Sequence, residues 1–239
     1  MERAVQQPQA APAPKGVPPL EAGDHLDRAE YHRRYSASPE GLKAELIEGV
    51  VYMPSPAGEE HHGAPWSRMD TCLGCYAAFT PGVRSSTGPT VLLDDHNEPE
   101  PDLVLRILPG HGGQSSSTDP PKSFIRGAPE LAVEVAASNV TIALREKKQA
   151  YERCGVKEYL VWRAFDAQID WFVLRDGAYT GLEPDSIGIY RSSVFPGLWV
   201  DSRALLRGDM ARVLAVLLEG IDSPEHEAFC ERLAGRAGG

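Results

Sequence analysis

The stretch that most limits what this chain can fold into is ELAVEVAASNVTIALREKKQAYERCGVKEYLVWRAF, residues 130–165. An apolar run short enough for a strand is followed by a charged segment with helical spacing, and then by a second apolar run. Strand, helix and strand in that order point to a parallel pair bridged by a helix, and so to an α/β layered fold with a mixed sheet. Two residues break the pattern. Glu134 sits inside the first apolar run and Lys147 inside the apolar stripe of the helix.

Side chains alternate along a strand, so Leu131, Val133 and Val135 point one way while Ala132, Glu134 and Ala136 point the other. Glu134 is therefore flanked on its own face by alanines, which leave room around it. A carboxylate there is either protonated at a cost or has a cation as partner. On the helix, Ala143, Leu144, Lys147, Ala150, Tyr151 and Cys154 follow the spacing of one buried face, and Lys147 is the only charge among them. Arg145, Lys148, Gln149 and Glu152 fall on other faces. A short loop packs the helix on the strand it follows, which turns Lys147 toward Glu134. Tyr151 shares the face of Lys147, so its hydroxyl is within reach of the same place.

Asp102 joins them as a carboxylate that opens the apolar strand DLVLRIL directly after Pro101. Two carboxylates and a lysine suit metal-dependent phosphodiester hydrolysis. The carboxylates hold Mg²⁺, and the lysine orients a water or offsets charge on the phosphate. The competing reading is a buried Glu134–Lys147 ion pair with no catalytic part.

The rest of the chain reads as follows. Residues 1–20, rich in Pro, Ala and Gln, are expected to be a disordered tail, residues 21–222 the folded domain, and residues 223–239 a C-terminal helical tail that Ser223 caps. Leu26 to Tyr35 is helical, and AELIEGVVYMPSP gives strand, turn and strand around Gly49. Trp66, Met69, Leu73 and Tyr76 mark a helix with one buried face. GVRSSTGPTVLL is a strand, PGHGGQSSSTDPPKSFIRG a long loop, and QIDWFVLRDGAYTGL a hairpin turning at Asp176-Gly177. The stripe Met210, Val213, Leu214, Leu217 packs inward or against a second copy, and a homodimer is the expected assembly.

A net charge of −10 argues against non-specific coating of nucleic acid, though not against a local groove. The four cysteines are too sparse for a disulfide scaffold. Cys72 and Cys75 fall inside a helical pattern, which disfavours zinc. With no run near the roughly 18 residues of a membrane span and no secretory signal core, the expected location is the cytoplasm. There is no Gly-rich phosphate loop, serine elbow or dinucleotide fingerprint.

PDLVLRI, APELAVEVAAS, REKKQAYERCGVKEYLVW and VFPGLWVD, in this order, resemble the Uma family of restriction-endonuclease-like proteins, within the PD-(D/E)XK nuclease superfamily. AELIEG and the histidines after MPSP agree, so the resemblance runs from about Leu42 to Leu206. It implies a restriction-endonuclease-like mixed β-sheet flanked by helices, with Asp102 and Glu134 as ligands of Mg²⁺ or Mn²⁺ and DNA as substrate. The superfamily signature wants lysine two positions after Glu134, where this chain has Ala136. In this family the lysine is shifted to the next helix, which corresponds to Lys147. Glu45 matches a recurring acidic position, implied as a further metal ligand, and His62 a histidine at the start of the first core helix, implied as a phosphate or water contact. The alternative is a catalytically inactive nuclease-like binding or assembly module.

Overall fold

The computed structural model describes residues 16–53, 58–120, 123–137 and 139–236. Most of the expected N-terminal tail, the segment after Met53 and the last residues of the C-terminal tail lie outside them. Leu20 already belongs to the fold. It is buried with Tyr31, Ala44, Leu46 and Val51 in a small cluster under the helix Arg28–Ser36.

A six-stranded mixed sheet forms the centre. Its order is Ala178–Gly181, Gln168–Arg175, Glu158–Arg163, Leu131–Ala136, Leu103–Ile107 and Val83–Thr87. Leu131–Ala136 runs parallel to Glu158–Arg163 and antiparallel to Leu103–Ile107, so the strand carrying Glu134 has a partner on both sides. All five residues of Leu103–Ile107 and all six of Leu131–Ala136 are buried, which is why both read as nearly continuous apolar runs.

The alternation expected of the glutamate strand is present. Leu131, Val133 and Val135 enter the main core, with Met69, Leu73 and Tyr76 of the helix Ala64–Phe79 and Val213 and Leu217 of Met210–Ile221. Ala132 and Ala136 face the other way, with Ala143, Tyr151, Tyr159 and Val161. Each large apolar side chain buried in these layers contributes roughly 1.5–3 kcal/mol. The final helix, Pro224–Arg236, lays Phe229 and Leu233 into the main core, and Ser223 Oγ accepts the His226 amide at its start. The stripe of Met210–Ile221 likewise packs inward, with Met210 and Leu214 at its margin.

Two tight turns have the geometry their sequences demand. Glu48-Gly49 joins Glu45–Ile47 to Val50–Tyr52, and Asp176-Gly177 joins the hairpin near the sheet edge. Both residues of each turn have positive φ, 51° and 76° in the first and 51° and 83° in the second. The long loop after Leu108 is less irregular than its composition suggests. Ser116–Ser117 and Ile125–Arg126 pair within it, and Ile125–Arg126 lies parallel to Val91–Leu92, giving a small three-stranded sheet. No helix among the described residues is long and apolar enough to cross a membrane.

Candidate active site

Asp102 and Glu134 come from adjacent antiparallel strands. Leu103 is opposite Val133, so one position further along the ladder Asp102 falls opposite Glu134. Backbone contacts fix Asp102 at both ends. Its carbonyl accepts the Trp66 indole N–H at 3.0 Å, and its Oδ2 accepts the Val135 amide at 2.7 Å.

The helix after Glu134 is built in three segments: an α turn Val140–Ile142, a π turn Ala143–Lys147 and an α-helix Lys148–Cys154. The π turn is wider than an α turn, and Ala143, Lys147, Ala150 and Tyr151 are all buried against the strand. Lys147 Nζ donates to both oxygens of Glu134, each at 2.9 Å, and to Glu45 Oε1 at 2.9 Å. Glu45 Oε2 lies 2.8 Å from the same ammonium. The Tyr151 hydroxyl donates to Glu134 Oε1 at 3.2 Å. Lys147 is 3% exposed and Glu134 4%.

Glu45 arrives from the hairpin Glu45–Ile47/Val50–Tyr52, where Leu46 enters the cluster under the first helix. Leu46 and Glu98 exchange backbone hydrogen bonds, and Glu45 Oε1 also accepts the Glu100 amide at 2.9 Å. His62 comes from a second π turn, Glu59–Gly63, immediately before the helix Ala64–Phe79. Its Nε2 stands 3.1 Å from Asp102 Oδ1, and both side chains are about one-fifth exposed, 22% and 18%. The site is therefore closed at Lys147 and opens toward solvent at His62 and Asp102.

Two carboxylates, Glu45 and Glu134, share one ammonium, and the charge of Asp102 acts on Glu134 from the neighbouring strand. Burial pushes Glu134 up to about 8, with the charges of Glu45 and Asp102 acting in the same direction against the pull of Lys147. Burial alone lowers the affinity of Lys147 for its proton, but Glu134 and Glu45 more than offset that and hold it charged. The hydrogen bond to Asp102 raises His62. Burial, and then the Glu134 charge, keeps the Tyr151 hydroxyl protonated.

The six residues singled out in the sequence thus form two adjoining groups, Glu45, Lys147, Glu134 and Tyr151 in one and His62 with Asp102 in the other, linked where Asp102 accepts the Val135 amide next to Glu134. Glu45, expected as a further metal ligand, has its carboxylate on Lys147. Among the described residues, no three histidine, cysteine or carboxylate side chains converge as a ready metal-binding group. The chemistry of the donors nonetheless fits a hard cation. They are carboxyl groups, and each, once ionised, keeps lone pairs beyond those used by Lys147, Val135 and His62. Cys72 and Cys75 lie within Ala64–Phe79 as free thiols, away from this network.

Sequence reading missed the supporting carboxylates. Glu98 is buried against His32, with Nδ1 to Oε1 at 2.7 Å, and Glu100 accepts from Tyr35 and Thr90. Their signal was the acidic cluster in DDHNEPEPD, which reads as a solvated turn.

Comparison with known proteins bears on the fold and the family. A solved structure, described as that of "a putative nuclease belonging to DUF820" from Anabaena variabilis, matches with a TM-score of 0.52 and 15% identity. The match covers 73% of this chain and 96% of that one, a likeness of fold. No curated protein matches the chain. The model of the Uma2 family, described as "Putative restriction endonuclease", matches residues 28–205, the region that holds the sheet and every residue of the network, and the chain belongs to that family.

Proposed function

We propose that this protein is a divalent-metal-dependent endonuclease that hydrolyses DNA phosphodiester bonds, with Mg²⁺ as its metal and Mn²⁺ as a substitute. The observation that carries the reading is the ammonium of Lys147 held between Glu45 and Glu134, beside Asp102. Asp102 and Glu134 are the residues that would hold the cation, with Glu45 assisting. When bound, such a cation polarises the phosphate and lowers the pKa of a water.

The remaining roles belong to the chain. Lys147 is a fixed positive charge that offsets charge developing on the phosphate, and its neighbours keep it protonated. Tyr151 and Lys147 together set the orientation of the Glu134 carboxylate. His62, at the open side and oriented by Asp102, can hold or release a proton at Nε2 toward a water or a phosphate oxygen. Membership of the Uma2 family supports a nuclease activity.

A second reading has its own observation. Lys147 is almost fully buried and engaged by both carboxylates, which also describes a structural ion cluster in an inactive nuclease-like binding module. Supercoiled plasmid incubated with purified protein and Mg²⁺ separates the two. The endonuclease reading expects nicked or linear product from the wild type and none from Lys147→Ala or Glu134→Gln. Intact plasmid with the wild type, or equal cutting by all three proteins, favours the binding module.

A further inference from the structure

The open side of the site has a rim unlike its interior. Phe165, in the turn after the strand Glu158–Arg163, is 62% exposed. It packs on His61, with ring centroids 4.3 Å apart and planes at 42°, and the His61 side chain is itself 45% exposed. His61 adjoins His62, whose ring meets Trp66 edge-on at 6.0 Å, and Trp66 holds the carbonyl of Asp102. Trp66 and Gly63 also line a cavity of about 250 Å³ with Ser67, Asp70 and Thr87. His62 and Trp66 contact Asp102, and the exposed pair His61 and Phe165 adjoins them in the chain through His62.

Lys43, two residues before Glu45, is exposed and makes no ion pair among the described residues. By contrast Arg163, at the end of the neighbouring strand, is taken up by Asp166 and Asp170. A duplex gripped through its phosphates calls for many free cations. Aromatic faces with a single lysine instead match a strand whose bases are unpaired and free to stack.

We propose that this rim binds unpaired single-stranded DNA, with a base stacked on Phe165 and His61 and an adjacent phosphate on Lys43. The inference rests on the nuclease reading for its substrate, but binding is measured without metal and so stands or falls separately. The assay is fluorescence anisotropy of 5′-fluorescein-labelled (dT)12 in EDTA, with a duplex of equal length and a single-stranded RNA for comparison. Wild type should bind the DNA single strand more tightly than either. Phe165→Ala should weaken it about tenfold and Phe165→Trp should restore it. Lys43→Ala should flatten the dependence of log K on log salt by roughly 0.7, the share of one single-strand phosphate. Unchanged melting temperatures would show that the variants remain folded.

Binding to duplex or RNA as tight as to single-stranded DNA, no binding to any probe, or no loss with Phe165→Ala would overturn the proposal. Tight single-strand binding with no cleavage in Mg²⁺ leaves the rim standing and removes the nuclease reading. Cleavage with undiminished single-strand binding by Phe165→Ala does the reverse.

Discussion

The sheet carries two fully buried carboxylates of opposite kind, Glu134 and Glu158, on neighbouring parallel strands. Glu158 is 0% exposed and surrounded by donors without formal charge. The Trp171 indole, the hydroxyls of Ser192 and Ser193, and the amides of Ser193 and Val194 all donate to it, at 2.8 to 3.2 Å. It ties the segment before VFPGLW to the strand. Glu130 is held mainly by the amides of Ile107 and Gln114, with the Lys157 ammonium 3.8 Å from its Oε1. Glu134 has instead an ammonium and one phenol, with two further carboxylates nearby. Backbone and hydroxyl donors belong to a fixed scaffold and make a staple. A lysine shared by two carboxylates, one of them pushed up to about 8, leaves a carboxyl whose proton a cation can displace.

The largest effect expected from breaking this contrast is at Lys147. Lys147→Ala leaves two buried carboxylates facing each other, and should cost about 3–5 kcal/mol of stability in urea unfolding as well as abolish cleavage. Glu158→Ala orphans several buried donors and should cost about 2–3 kcal/mol, yet leave cleavage per folded molecule unchanged. A loss of cleavage there would erase the distinction between staple and site.

The contrast sharpens with pH. The folded-state pKa of Glu134 is raised to about 8, so the folded chain binds more protons than the unfolded chain between the ordinary glutamate range and about 8. Stability attributable to Glu134 must then fall as pH rises through that window. His62 is also raised, so its contribution is full below its ordinary value of about 6.5 and is lost as pH rises through its folded pKa. Urea midpoints measured from pH 5 to 8.5 should decline, and Glu134→Gln should flatten most of the decline. The smallest effect is at Tyr151→Phe, which removes one hydroxyl from Glu134 and should cost about 0.5–1.5 kcal/mol in the same assay.

Much of this was legible because period-two and helical patterns point side chains in known directions. Alternation on LAVEVA placed Glu134 opposite the main core, and the stripe Ala143, Lys147, Tyr151 placed the lysine on the same side. The two π turns that deliver His62 and Lys147 were not legible, since no residue type marks an extra residue in a helical turn. Two-residue strands such as Ser116–Ser117 are too short to show a period, so their small sheet read as loop. Glu158 and Glu130 open apolar runs, a place where local pattern carries no sign of burial. Only tertiary donors far along the chain, Ser192 and Ser193 for one and the loop amide of Gln114 for the other, account for their burial. The engagement of Glu45 by Lys147 likewise depends on where Glu98 anchors the hairpin, a contact between distant segments that local pattern does not contain.

The most direct test compares Glu134→Gln with Glu158→Gln, in plasmid cleavage and in the shift of melting temperature on adding Mg²⁺. If the lysine-held carboxylate is the working one, wild type and Glu158→Gln both cut and are both stabilised by the metal, while Glu134→Gln does neither. Cutting by Glu134→Gln at the wild-type rate, or a wild type that neither cuts nor responds to Mg²⁺, would contradict the account.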